Sequence, residues 1–474
     1  MDAVGRRPAT EAELDARYRA RSLWLEGIEG PLAPRPSLPG DRDYDVAIVG
    51  GGFTGLWTAY YLKTLQPDLR VAVIEREIAG YGPSGRNGGW AIGGLAGSPA
   101  AYGLAGGGER LERALRATYQ AIDEIGAVAA REQIDCGFVK AGGLTVATSA
   151  PQWRRLQAAE PGGSGASHGT PEGTLLSAAE AQALAAVPAL HGGRFTPHAA
   201  RINPAQLVRG LAASCERHGV TIHERTAALA LERGRVRCVG GSVRAEVVIG
   251  ATESYTTQLP GARLRYLPLY SLMIATEPLD ERAWRELRWQ DGLLIDDGHY
   301  LFFYAQRTTD GRIAIGGRGA PYRLRSPIDE RNERDERVRA RLLATLRQAF
   351  PAAAAARVTH HWGGPLAAPR DWSMSVRFDR ASGLGAAGGY TGHGVVASNI
   401  SGATLADLVL GRESVLAAMP WVGHRSRRWE PEPLRFLASR AIVGTLGAAD
   451  RREDSSGRPA RRVALLRPFL PPGH

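Results

Sequence analysis

Lysine is almost missing from this chain. Only Lys63 and Lys140 stand among 59 basic residues, so arginine carries the formal net charge of +11. Cysteine is as sparse: Cys136, Cys215 and Cys238 form no Cys-x-x-Cys pair. An odd, scattered set of thiols fits a reducing cytoplasm. No uninterrupted apolar run reaches the roughly 20 residues that a membrane span needs. The N-terminus is charged, without an apolar stretch before a small-residue cleavage site, so no signal peptide is expected. No metal site is expected either.

Hydrophobic content of 44% and charged content of 23% are ordinary for a globular protein, and 474 residues leave room for two or three domains. The positive charge could attract anionic partners. Its densest clusters, Arg425–Arg428 and Arg451–Arg462, read as a solvated face or tail. Nucleic-acid binding would interleave aromatics with a basic stripe. Only Trp421 and Trp429 lie nearby, which argues against such a partner.

The stretch that organises the chain is Tyr44-Asp-Val-Ala-Ile-Val-Gly-Gly-Gly-Phe-Thr-Gly55. Five strand formers lead into Gly50-x-Gly52-x-x-Gly55, and an apolar-faced helix, Leu56–Leu65, follows. This is the context a dinucleotide fingerprint requires. Gly50 makes the tight turn, Gly52 lets backbone N–H groups approach a pyrophosphate, and Gly55 lets helix lie on strand. The helix N-terminus, about half a positive charge, then faces the phosphates. A second strand, Arg70-Val-Ala-Val-Ile, ends on Glu75, twenty residues past Gly55. An acid there can accept hydrogen bonds from a ribose hydroxyl.

Two further segments are as rich in glycine. In Gly80-Tyr-Gly-Pro-Ser-Gly-Arg-Asn-Gly-Gly-Trp90 the backbone can run flush against a flat ring while Ser84 and Arg86 reach phosphate oxygens. Gly388-Gly-Tyr-Thr-Gly-His-Gly-Val-Val leads into a helix closed by Gly411. That helix aims its positive end back at whatever binds there. His393 reads as packing beside the ligand rather than as a proton carrier.

Between these segments, periodicity gives helices over 11–27, 109–131 and 330–350, and one at 204–218 with Asn203 as N-cap, Pro204 first and Gly219 after its end. Residues 137–148 read as a hairpin, 161–173 as a surface loop, and 220–239 as two strands. A strand at 246–250 returns to the first unit; strands at 266–276, 292–304 and 312–318 suggest a separate antiparallel sheet. The expected architecture is α/β: a discontinuous Rossmann-like nucleotide domain (41–100, 195–260, 355–415) and an α+β second domain (101–194, 261–354). An arm (1–40) precedes them and an extension (416–474) follows.

Together Gly50–Gly55, Glu75, Ser84–Gly89 and Gly389–Val395 resemble the FAD-dependent D-amino-acid oxidase/glycine oxidase/sarcosine oxidase superfamily. Ser-Gly-Arg-Asn-Gly-Gly, Trp362-Gly-Gly-Pro365, Thr309-Asp-Gly-Arg312 and Gly316-Gly-Arg318 are similar to the gamma-glutamylputrescine oxidase-like branch. The resemblance covers about 40–411 and implies FAD, a β-sheet roof over the flavin, and oxidation of a C–N bond. Carried over by motif, adenosine and pyrophosphate contacts fall on Gly50, Gly52, Phe53, Thr54, Gly55, Glu75, Arg76, Ser84, Gly85 and Arg86. Asn87, Gly88 and Gly89 would border the isoalloxazine; Gly389, Thr391, Gly392, His393, Gly394 and Val395 its pyrimidine edge; Ala227 and Ala251 the adenine or ribose. Sarcosine oxidases place a lysine over the flavin to activate oxygen; the comparable strand here has Ala314. No cysteine stands out for a covalent flavin bond, so FAD is expected to be held non-covalently.

An amine must lose its ammonium proton before its α-hydride can leave, and a closed apolar pocket eases that loss without a side-chain base. Candidates to face a small amine or amino-acid substrate are Trp90, Tyr270, Tyr300, Phe302, Tyr304, Arg307 and Arg318. The electron acceptor would be O2 or another molecule. A tailoring oxidase, a dehydrogenase, an RNA-directed flavoenzyme and a flavin-binding protein without turnover are the alternatives. No catalytic residue, substrate or oligomeric state can be named from the sequence.

Overall fold

The computed structural model describes residues 9–158, 173–319, 321–325, 327–463 and 466, so the loop expected at 161–173 lies outside it except for Gly173. Its central strand is Arg42–Val49, whose Val46–Val49 end is buried. Burial on both faces is what a parallel sheet asks of such a run. Gly241–Gly250 pairs with it in parallel on one side and Val71–Ile74 on the other. Thr221–His223 extends the sheet beyond Val71–Ile74; Leu384–Gly388 and then Ser375–Asp379 extend the opposite side. Ala228–Glu232 and Arg235–Cys238 hang on Gly241–Gly250 as an antiparallel meander, so three strands stand in 220–239, where two are expected, if Thr221–His223 is included. This sheet is discontinuous in the chain, as expected.

Its covering helices include Phe53–Leu65, Pro204–Arg217 and Gly394–Leu410, which share one core through Trp57, Leu207 and Ile400. Gly402 makes the closest of these approaches possible: a Cβ there would lie 2.5 Å from Trp57 Cβ. The helix Glu109–Arg131 is where the periodicity puts it, yet its Leu115, Ile122 and Ile125 enter this same core rather than the second domain.

The second sheet also has eight strands, in the order Val358–Ala368, Leu267–Thr276, Ile313–Gly317, Phe303–Arg307, Leu294–Asp297, Gly143–Ala147, Gly192–Thr196, Thr174–Leu176. All neighbours are antiparallel except Leu294–Asp297 beside Gly143–Ala147. Val358–Ala368 therefore belongs here, and the expected segment 355–415 is divided between the two sheets. Glu336–Ala349 packs on this sheet through Leu342 and Leu346.

Other expectations change locally. The first helix is broken into Glu11–Arg19 and Leu23–Glu26, because the Ser22 hydroxyl accepts from Leu25 N–H at 3.1 Å and starts a new turn. Residues 137–148 hold one strand, not a hairpin, because Gly143–Ala147 finds its partners in distant segments. The strand expected over 292–304 is two, since Asp297 accepts from Phe303 N–H at 3.0 Å and closes residues 298–302 into a loop. Asp335 caps Glu336–Ala349 and separates it from a short turn at Glu330–Glu333. The extension carries a helix of 23 residues, Leu434–Ser456. Among the described residues no helix is long and apolar enough to cross a membrane, and no group of His, Cys, Asp and Glu could hold a metal.

Candidate active site

The three glycine segments meet. Ser84 Oγ accepts from Phe53 N–H at 2.9 Å, tying the second segment to the first. Thr54 Oγ1 and Tyr390 OH lie 2.8 Å apart, tying the first to the third. Between them runs a cavity of about 760 Å³, and both Asn87 and His393 line it. Two helix N-termini open on it: Gly52, Phe53 and Thr54 from one, His393, Gly394 and Val395 from the other. Each carries the partial positive charge of a first turn, although Phe53 N–H is taken by Ser84 and His393 N–H by Tyr390 O at 3.0 Å.

Backbone closeness makes this possible. Gly50 has φ +114°, and a Cβ there would stand 2.4 Å from Ala251 O. The Glu75 carboxylate accepts from Gly51 N–H at 2.8 Å and from Glu77 N–H at 2.9 Å. Burial pushes its pKa up to about 7, against the pull of those two donors. Arg76, Ala251, Gly88, Thr391 and Gly392 also line the cavity.

Gly55, Gly85, Gly89, Gly389 and Ala227 do not line it; most shape the wall from behind. A Cβ on Gly55 would lie 2.0 Å from Gly50 O, and one on Gly85 2.2 Å from Gly80 O. Gly89 is backed by Gln306 and Ile202, and Gly389 donates its N–H to Glu253 at 3.0 Å. Ala227 turns away between Thr226 and Ala228, which do line the cavity. Arg86, expected to reach phosphate, lines the cavity, and its guanidinium is bonded to Gly363 O at 3.1 Å, Tyr255 OH at 3.1 Å and Glu333 at 2.7 Å. The N-terminal arm holds the same segment from outside, with the Trp24 indole donating to Asn87 O at 2.8 Å.

Of the residues expected to face a substrate, Trp90, Tyr300, Phe302 and Tyr304 line the cavity. Tyr270, Arg307 and Arg318 do not. Tyr270 OH donates to Pro327 O on the far face of the second sheet, and Arg307 stacks 4.3 Å over Trp284. Arg318 pairs with Asp297 at 2.6 Å. Tyr304 OH lies 2.7 Å from Ser271 Oγ, and burial pushes the phenol up to about 12, so it stays neutral. Burial pulls His393 down to about 4, leaving an uncharged imidazole. Trp90 Nε1 is buried with no hydrogen-bond partner. Ala314 stands where a lysine could have been; Lys63 caps backbone carbonyls and Lys140 pairs with Asp123, both away from the cavity. None of the three cysteines, all buried, lines it.

Sequence reasoning missed Glu253, whose carboxylate accepts from Gly389, Tyr390 and Ala367 N–H, at φ +46°. It missed Ser271 and Met273, and the helix Leu434–Ser456 that closes one end of the cavity. Trp421 and Trp429, beside the basic cluster, are buried, so no exposed aromatic joins it.

A cradle of glycine backbone at two helix ends, with a carboxyl beside the first, fits an extended dinucleotide ending in a flat ring. The family profile of FAD dependent oxidoreductases (DAO) matches residues 45–408. The chain belongs to that family. It is similar to the probable oxidoreductase OrdL of Rhizobium meliloti, 28% identical over 399 residues, covering 83% of this chain and 89% of the relative. It is equally similar to the gamma-glutamylputrescine oxidoreductase of Escherichia coli, 28% identical over 396 residues, covering 82% and 89%. The fold is that of glycine oxidase from Geobacillus kaustophilus, TM-score 0.64 at 22% identity, over 81% of this chain and all of the other. This family member is an FAD-dependent oxidoreductase.

Proposed function

We propose that the protein oxidises the C–N bond of a small amine or amino acid. Family membership supports this, as do relatives named for gamma-glutamylputrescine and glycine. The observation that carries it is that the cavity bordered by the glycine segments is lined as well by Trp90 and Tyr304 and by the apolar Leu267, Leu269, Phe302 and Leu446. FAD held along the glycine segments would supply a two-electron sink for the α-hydride, so that the C–N bond becomes C=N and water can hydrolyse the imine; the acceptor that reoxidises it would be O2 or another molecule. The protein's own part is to hold, dry and orient. Apolar walls disfavour the ammonium form, so the substrate releases its proton before oxidation. Neutral Tyr304 and neutral His393 add no competing charge. The orphaned Trp90 N–H offers one donor to the incoming molecule. Glu75 and the first helix end would hold the adenosine half, and attachment would be non-covalent. In an anaerobic titration of the yellow holoprotein, amines or amino acids should bleach the flavin; an intact flavin that no amine reduces would end this reading.

A second reading concerns the acceptor. With Ala314 in the strand and both lysines held elsewhere, a charged amine is not available to activate oxygen. Faster turnover with a quinone or dye than with O2 would identify a dehydrogenase; the reverse would identify an oxidase.

A further inference from the structure

The family match begins at residue 45, yet residues well before it take hold of the cavity wall. The arm is seated by burial. Tyr18, Leu25 and Leu32 are fully buried and share one apolar cluster with Ile78 and with Ala275 and Ala314 of the second sheet. Arg21 pairs with Glu333, which also takes the Arg86 guanidinium at 2.7 Å.

Three consecutive carbonyls of the second glycine segment are held from the side away from the cavity. The Ser22 hydroxyl donates to Gly85 O at 3.1 Å, the Trp362 indole to Arg86 O at 2.9 Å and the Trp24 indole to Asn87 O at 2.8 Å. The two indoles meet edge to face, their centres 6.1 Å apart at 87°, so each fixes the plane of the other. Ser22, Trp24 and Trp362 do not line the cavity, whereas Asn87 and Gly88 do. The Asn87–Gly88 peptide is trans, and a planar trans peptide points its C=O and N–H in opposite directions. With the Asn87 carbonyl turned to Trp24, the Gly88 N–H is turned toward the cavity. Asn87 N–H donates to Pro83 O at 2.9 Å and Gly89 N–H to Asn87 Oδ1 at 2.8 Å. Gly88 N–H, between them, has no hydrogen-bond partner among the described residues. A ligand that covers this donor must offer it an acceptor.

We propose that Trp24 is a positioning residue of the cofactor site: by holding the Asn87 carbonyl outward, it keeps the Gly88 N–H aimed at the isoalloxazine ring of FAD. Without the indole N–H the peptide plane is free to turn, and glycine, having no Cβ, turns at little steric cost. The arm is then part of the flavin site although it lies outside the family match. Since family membership supplies the FAD, this role holds whatever the substrate is.

The test titrates the full chain, stripped of flavin, with FAD and with ADP, which carries the adenosine half and no ring. Trp24→Phe keeps the bulk and removes the donor. It should weaken FAD about 5- to 10-fold, the worth of one backbone hydrogen bond, and leave ADP unchanged. Trp362→Phe frees a carbonyl whose following N–H is already bonded to Pro83, so it should cost FAD less. Unchanged FAD affinity in Trp24→Phe overturns the proposal. So does a loss shared equally by ADP, which would make the arm a prop for the fold, or an equal loss in Trp362→Phe. A second measurement needs no variant and stands even where Trp24→Phe does not fold. In amide-resolved hydrogen exchange of the wild type, Gly88 should exchange fast in the stripped chain, slow with FAD, and stay fast with ADP. An amide that FAD leaves unprotected, or that ADP protects as well, overturns the proposal.

Discussion

Gly88 and Glu253 show how single residues set this cavity. A Cβ on Gly88 would stand 2.6 Å from the Tyr304 ring, and that ring is anchored by its hydroxyl 2.7 Å from Ser271 Oγ. Gly88→Ala must displace one or the other, at an overpacking cost of about 1–3 kcal/mol. A lower Tm and slower anaerobic flavin reduction are the expected outcome; unchanged reduction would mean Tyr304 is not part of the working surface. Glu253 joins three strands of argument in one carboxylate, accepting N–H groups from two residues of the third glycine segment and from Ala367. Glu253→Ala strands those donors at about 1–3 kcal/mol each, so the purified variant should lose flavin as well as stability. Glu253→Gln, which keeps one acceptor oxygen, should retain more of both. Trp90→Phe runs the other way: it deletes an N–H that has no partner in the protein, so Tm should hold while KM rises. A KM unchanged by that substitution would remove the indole from substrate binding.

At the scale of elements, legibility tracked how local the cause was. The glycine segments could be read because each constrains its own backbone: Gly50 needs φ +114° and closeness to Ala251 whatever surrounds it. Strand faces could not. Along Leu267–Thr276, Leu267, Leu269, Ser271 and Met273 face the cavity, whereas Tyr270 points the opposite way, a difference of one residue in a period of two. The break at 298–302 was hidden for a similar reason, since Asp450, far along the chain, holds the Tyr300 and Leu301 amides. The polar seam there predicts a pH response. Burial works against charge on His299, but Asp297 and Asp454 outweigh it and hold its pKa up to about 10. A raised histidine contributes stability fully below its unfolded value near ~6.5 and loses it as pH climbs toward about 10. Asp297, lowered to about 2 by Arg318 and His299 despite burial, contributes above its unfolded value of 3.8 and fades only as pH falls through about 2. Melting curves from pH 6.5 to 10 should therefore show a loss that is smaller in Asp454→Asn. Because Asp454 is 52% exposed, that substitution alone should cost no more than about 1 kcal/mol at neutral pH.

Among the described residues the molecule is two eight-stranded sheets and a two-stranded one, Trp90–Ile92 with Ala199–Arg201, with a slot between glycine-rich turns and the C-terminal helix as its end wall. Neither the joining of the sheets nor that wall could be read from local pattern, because both depend on contacts between segments hundreds of residues apart. Such a slot makes the cofactor part of the fold. A ligand that binds only the native state at a thousand times its Kd adds about 4 kcal/mol of stability, so stripping the flavin should lower Tm by roughly 4 °C in a chain of this length. Restoring FAD should reverse the loss. FMN carries the ring and one phosphate but not the adenosine half, so it should recover only part. Glu75 decides between two accounts of that difference. If its carboxylate holds the ribose, Glu75→Ala should weaken FAD until it stabilises no better than FMN, with FMN itself unaffected. If its work is only to fix the turn through Gly51 N–H, 2.8 Å away, the variant should weaken both flavins alike. Melting four samples, two proteins with two flavins, separates a residue that touches the cofactor from one that shapes the loop around it.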